Sequence, residues 1–228
     1  MAKKSRTPTP PRRVQAPKQR SSTPSSAERR RRWLIIGAVV GLIAVVAAGA
    51  AFAFVVLGGG SADSALRSAG CTIVKKPAQG RAHVPKLAKN FKYNTFPPTT
   101  GPHFPSPAPY DFYEEPVQQY RLVHNLEHGS IVIQYGSEIP ESTIAKIRDW
   151  YLKDPNGIVV APLPALKNKL VLEAWTSPDA APGQKPAPGQ GILATCSNFD
   201  SGVADDFTKT YGFRGPERFP RSSLVPGA

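Results

Sequence analysis

"VQQYRLVHNLEHGSIVIQYG", residues 117–136, sets two runs of Val, Ile and Tyr on either side of a short polar string. "VQQYRLV" and "GSIVIQYG" both read as strands, because β-branched and aromatic side chains suit a pleated surface. Between them, "HNLEH" holds His124 and His128 four residues apart. A single helical turn there would send both rings out of one face, about 5–6 Å apart at Cβ. Two imidazoles so placed can grip one transition-metal ion. The string also fits the inverted zinc-peptidase pattern H-x-x-E-H, with Glu127 as the acid. Such peptidases carry the motif on a long helix, whereas Gly129 and a strand follow here. A metal-dependent hydrolase with Glu127 as base is therefore the lesser alternative.

Outward from this stretch the elements alternate irregularly. "CTIVKK" (71–76), "GIVVAP" (157–162) and "KLVLEAWTS" (169–177) read as further strands. Residues 140–154 predict a helix with Pro140 at its start and Ile144, Ile147, Trp150 and Tyr151 along one face. Residues 197–212 predict a closing helix capped by Asp200 or Ser201, and 61–70 a short helix stopping near Gly70. Residues 177–191 are a Pro/Gly surface excursion. Residues 77–116 form a long ordered loop, because Phe91, Tyr93, Phe96, Phe104, Tyr110, Phe112 and Tyr113 give it apolar area to bury. The pattern predicts an α+β fold: one compact extracytoplasmic domain with a small mixed or antiparallel sheet and two or three helices, after one transmembrane helix.

The transmembrane expectation rests on charge. Net charge is +13, yet residues 1–32 hold eleven Lys/Arg and one acid, so the excess belongs to a tail. That tail, rich in Ser, Pro and Arg, cannot bury a core and is expected to be disordered in the cytoplasm. Residues 33–57, "WLIIGAVVGLIAVVAAGAAFAFVVL", carry no charge and are long enough to span a bilayer. Arg29 to Arg32 abut the start, which places the N-terminus inside and the rest outside the plasma membrane. Cleavage after Ala51-Phe52-Ala53 is the competing reading, but secretory apolar regions are shorter. A linker or short helix fills 58–70, the outer domain 71–217, and a tail 218–228. With the basic excess used as a topology signal, no nucleic-acid partner is expected. Membrane lipid and an unidentified envelope protein are the partners this organisation implies. Cys71 and Cys196 both fall on the outer side, where an oxidising compartment favours a disulfide between them.

The chain has four histidines. His103 ends "PPTTGPH" (97–103), where three prolines and a glycine stiffen the chain. A histidine on such a mount loses little entropy on ordering, so His103 is the third candidate ligand beside His124 and His128. His83 completes the set or bonds to a supporting group, and Glu127 supports the ligands. Imidazoles suit copper or zinc better than calcium or magnesium. The competing reading is a set of packed histidines bonded to backbone, in an envelope interaction module without metal.

Several pieces together resemble the bacterial "domain of unknown function 3105" proteins: "AHV" (82–84), "YNTFPPTTGPH" (93–103), "LVHNLEHGSIVIQY" (122–135), "EAW" (173–175), "LATC" (193–196) and "YGFRGPE" (211–217). The resemblance covers about 71–217. It implies a membrane-anchored or secreted bacterial protein, and makes His83, His103, His124, Glu127 and His128 motif positions without assigning them a task. Many members have Met-Pro before the "AW" strand and a histidine soon after it. Leu163-Pro164 and Thr176-Ser177 stand there in this chain, which weakens a soft copper(I) site relative to a zinc-like one.

Overall fold

The computed structural model describes Ile35, residues 62–180, Gln184 and residues 187–228. The basic tail (1–32) and the proposed span (33–57), Ile35 apart, lie outside the described residues. Among the described residues no helix is long and apolar enough to cross a membrane. The chain divides into two units, Met1–Ala51 and Phe52–Ala228, and the elements described below belong to the second.

Five strands form one sheet in the order β1-β5-β4-β2-β3. They are β1 (Thr72–Pro77), β2 (Ile131–Tyr135), β3 (Ile158–Pro162), β4 (Leu170–Thr176) and β5 (Gln190–Cys196). Three of the pairings are antiparallel, and β2 with β3 is parallel. The parallel pair needs a crossover, and the helix α3 (Glu141–Tyr151) provides it. The other helices are α1 (residues 62–68), α2 (Gln119–Glu127) and α4 (Ser201–Tyr211). Among the described residues the architecture is thus an α+β domain with a mixed sheet and four α-helices, where two or three are expected.

Both faces of the sheet are covered. On one, Ile131, Ile133, Leu170, Leu172, Ala174, Ile192 and Ala194 pack with Leu66 of α1, Ile147 and Trp150 of α3, and Phe207 and Tyr211 of α4. On the other, Val132, Val159 and Trp175 meet Leu122, Val123 and Leu126 of α2. Every residue of β2 is buried as a result, so "IVIQY" shows no polar alternation. The long loop, 78–118, crosses this second face without a regular element of its own. Cys71 and Cys196 are disulfide-bonded across the ends of the paired strands β1 and β5.

Three expectations change. Residues 119–123 of "VQQYRLV" are the first turns of α2, not a strand. Leu122, Val123 and Leu126 recur at helical spacing and seal the sheet, while Gln119 turns to Gln134. That burial overrides the β-preference of Val and Tyr. The strand β5 lay hidden behind the Pro/Gly excursion. Its Gly191 admits Thr99 of the loop so closely that a Cβ there would lie 2.0 Å from the Thr99 hydroxyl oxygen. The segment 218–228, read as a tail, packs back on the domain: Leu224 is buried, and Gly227 N–H donates to the Tyr110 carbonyl.

Candidate metal centre

Three segments bring the four histidines together. Val84 N–H donates to the His103 carbonyl and His103 N–H to that of Ala82, which ties residues 82–84 to the proline loop. The loop is braced in turn: Thr99 and Thr100 are buried, and Tyr93 Oη donates to the Pro102 carbonyl. "PPTTGPH" is therefore a mount and not a spacer. His124 and Glu127 come from the buried side of α2, and His128 caps it. The helix stops there because Gly129, at φ 90°, lets Ser130 N–H reach the Asn125 carbonyl and Gly129 N–H that of Leu126.

The ligating atoms of His83, His103 and His124 all lie within 4.8 Å of one another, as do those of His124, His128 and Glu217, and those of His83, Glu127 and Glu217. The sequence placed His103 with His124 and His128; the fold groups it with His124 and His83 instead. The His83 ring stacks on His124 with centroids 4.8 Å apart. His103 is wholly buried and meets Trp175 edge-on.

For two of the rings the backbone fixes which nitrogen carries a proton. His103 Nδ1–H donates to the Gly101 carbonyl at 2.7 Å, and His124 Nδ1–H to that of Phe104 at 2.7 Å. A carbonyl only accepts, so both rings hold a proton on Nδ1 and aim Nε2 into the cluster; His103 Nε2 there meets a carboxylate, which also only accepts. There His103 Nε2 lies 2.9 Å from Glu127 Oε2, and His124 Nε2 lies 3.1 Å from His128 Nε2. Tyr110 Oη sits 3.4 Å from His128 Nδ1.

Glu127 lies at the centre with its side chain only 1% exposed. Oε1 accepts from Arg81 Nε at 2.8 Å, and Oε2 faces His83 and His103. Burial alone would raise its pKa, but the bonds from His103, Arg81 and His83 outweigh burial and hold it at about 2. A carboxylate so firmly ionised is a poor general base near neutral pH, which counts against the hydrolase reading. Burial lowers the pKa of His124, although its bond to Phe104 opposes this. Burial, with the adjacent His124, lowers that of His128 to about 4. Both rings are then neutral at physiological pH, the form that ligates metal.

Two members of the constellation were not anticipated as site residues. Arg81 and Glu217 meet at 3.4 Å across 136 residues of chain. Glu217 was visible only as the end of "YGFRGPE". It is brought in because its N–H donates to the Glu127 carbonyl and because Phe213 N–H donates to that of Gly129. Leu163 packs instead with Leu166, Val171 and Leu193, and Ser177 N–H donates to the Arg214 carbonyl.

The family described as "Protein of unknown function (DUF3105)" matches residues 83–222, a span shifted toward the C-terminus from the 71–217 that the motifs outline. No curated protein and no solved structure matches the chain. The histidine cluster and both strands that flank α2's sheet contacts fall inside the matched span, and the chain belongs to the DUF3105 family of proteins of unknown function.

Proposed function

We propose that this domain binds one transition-metal ion, zinc or copper, through Nε2 of His83, His103 and His124, with Glu127 as the supporting buried carboxylate. The observation that carries the reading is the pair of Nδ1–H bonds to the Gly101 and Phe104 carbonyls. Metal-ligating histidines characteristically donate their second nitrogen in this way, which fixes the ring and presents the other lone pair. A neutral imidazole has a single N–H, yet both nitrogens of His103 face oxygen atoms. The Nε2 position therefore calls for a positive charge, either as a second proton on the ring or as a metal ion in front of it. Ligand atoms around a first-row ion at about 2.0–2.2 Å stand on the order of 3 Å apart, so the three nitrogens, within 4.8 Å of one another, would draw together around it. The role would be binding, delivery or sensing of the ion, by a domain held outside the plasma membrane by residues 33–57.

The second reading is an envelope interaction module. It is favoured by one fact: Arg81, His83 and His103 already satisfy Glu127, so no ion is needed to account for that buried charge. Elemental analysis of the full chain, purified in mild detergent after exposure to zinc or copper, separates the two. About one ion per chain is expected for wild type, with affinity reduced at least about tenfold in His103→Asn and in the more exposed His83→Asn. Equal metal content in all three proteins would leave the interaction module.

A further inference from the structure

We propose that a single ion moves between two positions that share His124: an outer one with His128 and Glu217, and an inner one with His83 and His103. This rests on the metal-binding reading above. Both sets of ligating atoms fit within 4.8 Å, and His124 is the member common to them. Its Nδ1–H is committed to Phe104, so His124 has one lone pair, on Nε2, to give. Two ions cannot hold that lone pair at once, and the two positions are alternatives, not a dinuclear centre.

Their surroundings differ in a way that sets direction. The inner position has His103 wholly buried and two of its three rings braced by carbonyls, and only His83 on its open side. The outer position has looser ligands. His128 makes only a 3.4 Å contact to Tyr110 through Nδ1, and the Glu217 side chain is 34% exposed. Glu217 lies 3.7 Å from His128 Nε2, which in turn lies 3.1 Å from His124 Nε2. His83, with its side chain 40% exposed, is also within reach of solvent, but the half-buried Glu217 carries the charge that draws a cation. An arriving cation therefore meets Glu217 and His128 first, gains His124, then exchanges Glu217 and His128 for His83 and His103. At no stage is it released to water, because His124 stays bound throughout. The outer pair thus governs the rate of loading and unloading, and the inner pair governs the affinity.

The full chain is loaded with zinc, and uptake is followed with a zinc indicator by stopped flow; release is followed into excess EDTA. Wild type is expected to hold one ion. Glu217→Gln and His128→Asn are expected to slow uptake and release in parallel, each by about tenfold, with Kd changed less than about threefold. His83→Asn is expected to weaken Kd by about tenfold or more. Two ions per chain would overturn the shared-ligand scheme. So would a Glu217→Gln variant that loses as much affinity as His83→Asn, or one that keeps both rates. A wild-type chain that binds no zinc would instead remove the metal-binding reading itself, a result distinct from the others. Unfolding curves for the three variants confirm that each is native; Glu217 joins the fold through its backbone, which Gln preserves.

Discussion

Glu173 stands on the middle strand of the sheet with no exposure at all. Oε1 accepts from Gln134 Nε2 at 2.7 Å, and Gln134 in turn bonds Gln119 of α2. Among the described residues Oε2 has no hydrogen-bond partner. Burial raises its pKa from 4.5 to about 8, and the Gln134 bond opposes this only in part. The folded protein thus holds a proton that the unfolded chain gives up. Its stabilising effect is complete below pH ~4.5 and is lost as pH rises toward 8, at about 1.4 kcal/mol per unit. The buried histidines act oppositely: His124 and His128 are held neutral, so stability falls as pH drops below their ordinary value of 6.5. The interval from 6.5 to 8 therefore isolates Glu173. Glu173→Gln keeps the shape without the charge, and its urea midpoint should stay level across that interval while the wild-type midpoint declines. Parallel slopes would refute the assignment. At this scale the sequence showed His103, through its prolines, and the His124/His128 pair, through their spacing. It could not show Arg81 or Glu217, whose meeting depends on the folded path of two remote segments.

Among the elements, α2 decides the site, and its far end is the point of greatest constraint. Gly129 adopts φ 90°, and a Cβ there would sit 2.9 Å from the Gly215 nitrogen and 2.9 Å from the Phe213 α-carbon. Both neighbours are backbone, which cannot swing aside. Gly129→Ala should cost roughly 2–3 kcal/mol, combining left-handed strain with displaced chain. The displaced chain is the one that carries Glu217. Gly70 gives the control: its φ is 78°, but none of the described residues lies within 4 Å of its would-be Cβ. Gly70→Ala should cost only about 1 kcal/mol. Urea unfolding of both variants checks this, and equal costs would mean that the contact with 213–215 carries no weight. The same helix shows why part of the fold was unreadable. The strands β2, β3 and β4 and the helices α3 and α4 announced themselves by apolar runs, helical spacing and an Asp200 cap that accepts from Val203 N–H. In α2 the local preference of Val and Tyr pointed to a strand, and only the sheet beneath it selects the helix. In β5 the clue was masked by Gly189 and Gly191, which serve close approaches of the chain and not a turn.

For the molecule as a whole, the sheet separates two jobs. One face is sealed by α1, α3 and α4, and the other carries α2, the proline loop and the histidines. The disulfide belongs to the first face: Cys71 and Cys196 pack in the cluster with Ile192, Ala194 and Tyr211. It closes a separation of 125 residues, nearly the entire domain. Removing so long a loop constraint should release entropy in the unfolded chain and lower stability by about 5 kcal/mol. The native β1/β5 ladder, which holds six residue pairs in register, would still define the sheet edge. The histidine cluster lies across the sheet and draws none of its ligands from β1 or β5. Cys71→Ala/Cys196→Ala should therefore shift the urea midpoint strongly downward, yet bind zinc with an unchanged Kd wherever it remains folded. The two readings come from one preparation, by unfolding followed at several zinc concentrations. Zinc should raise the midpoints of variant and wild type by the same free energy, as expected for a ligand that binds only the native state. A variant that is folded but no longer stabilised by zinc would show that the ends of β1 and β5 hold the site in place, and that the two faces are not independent.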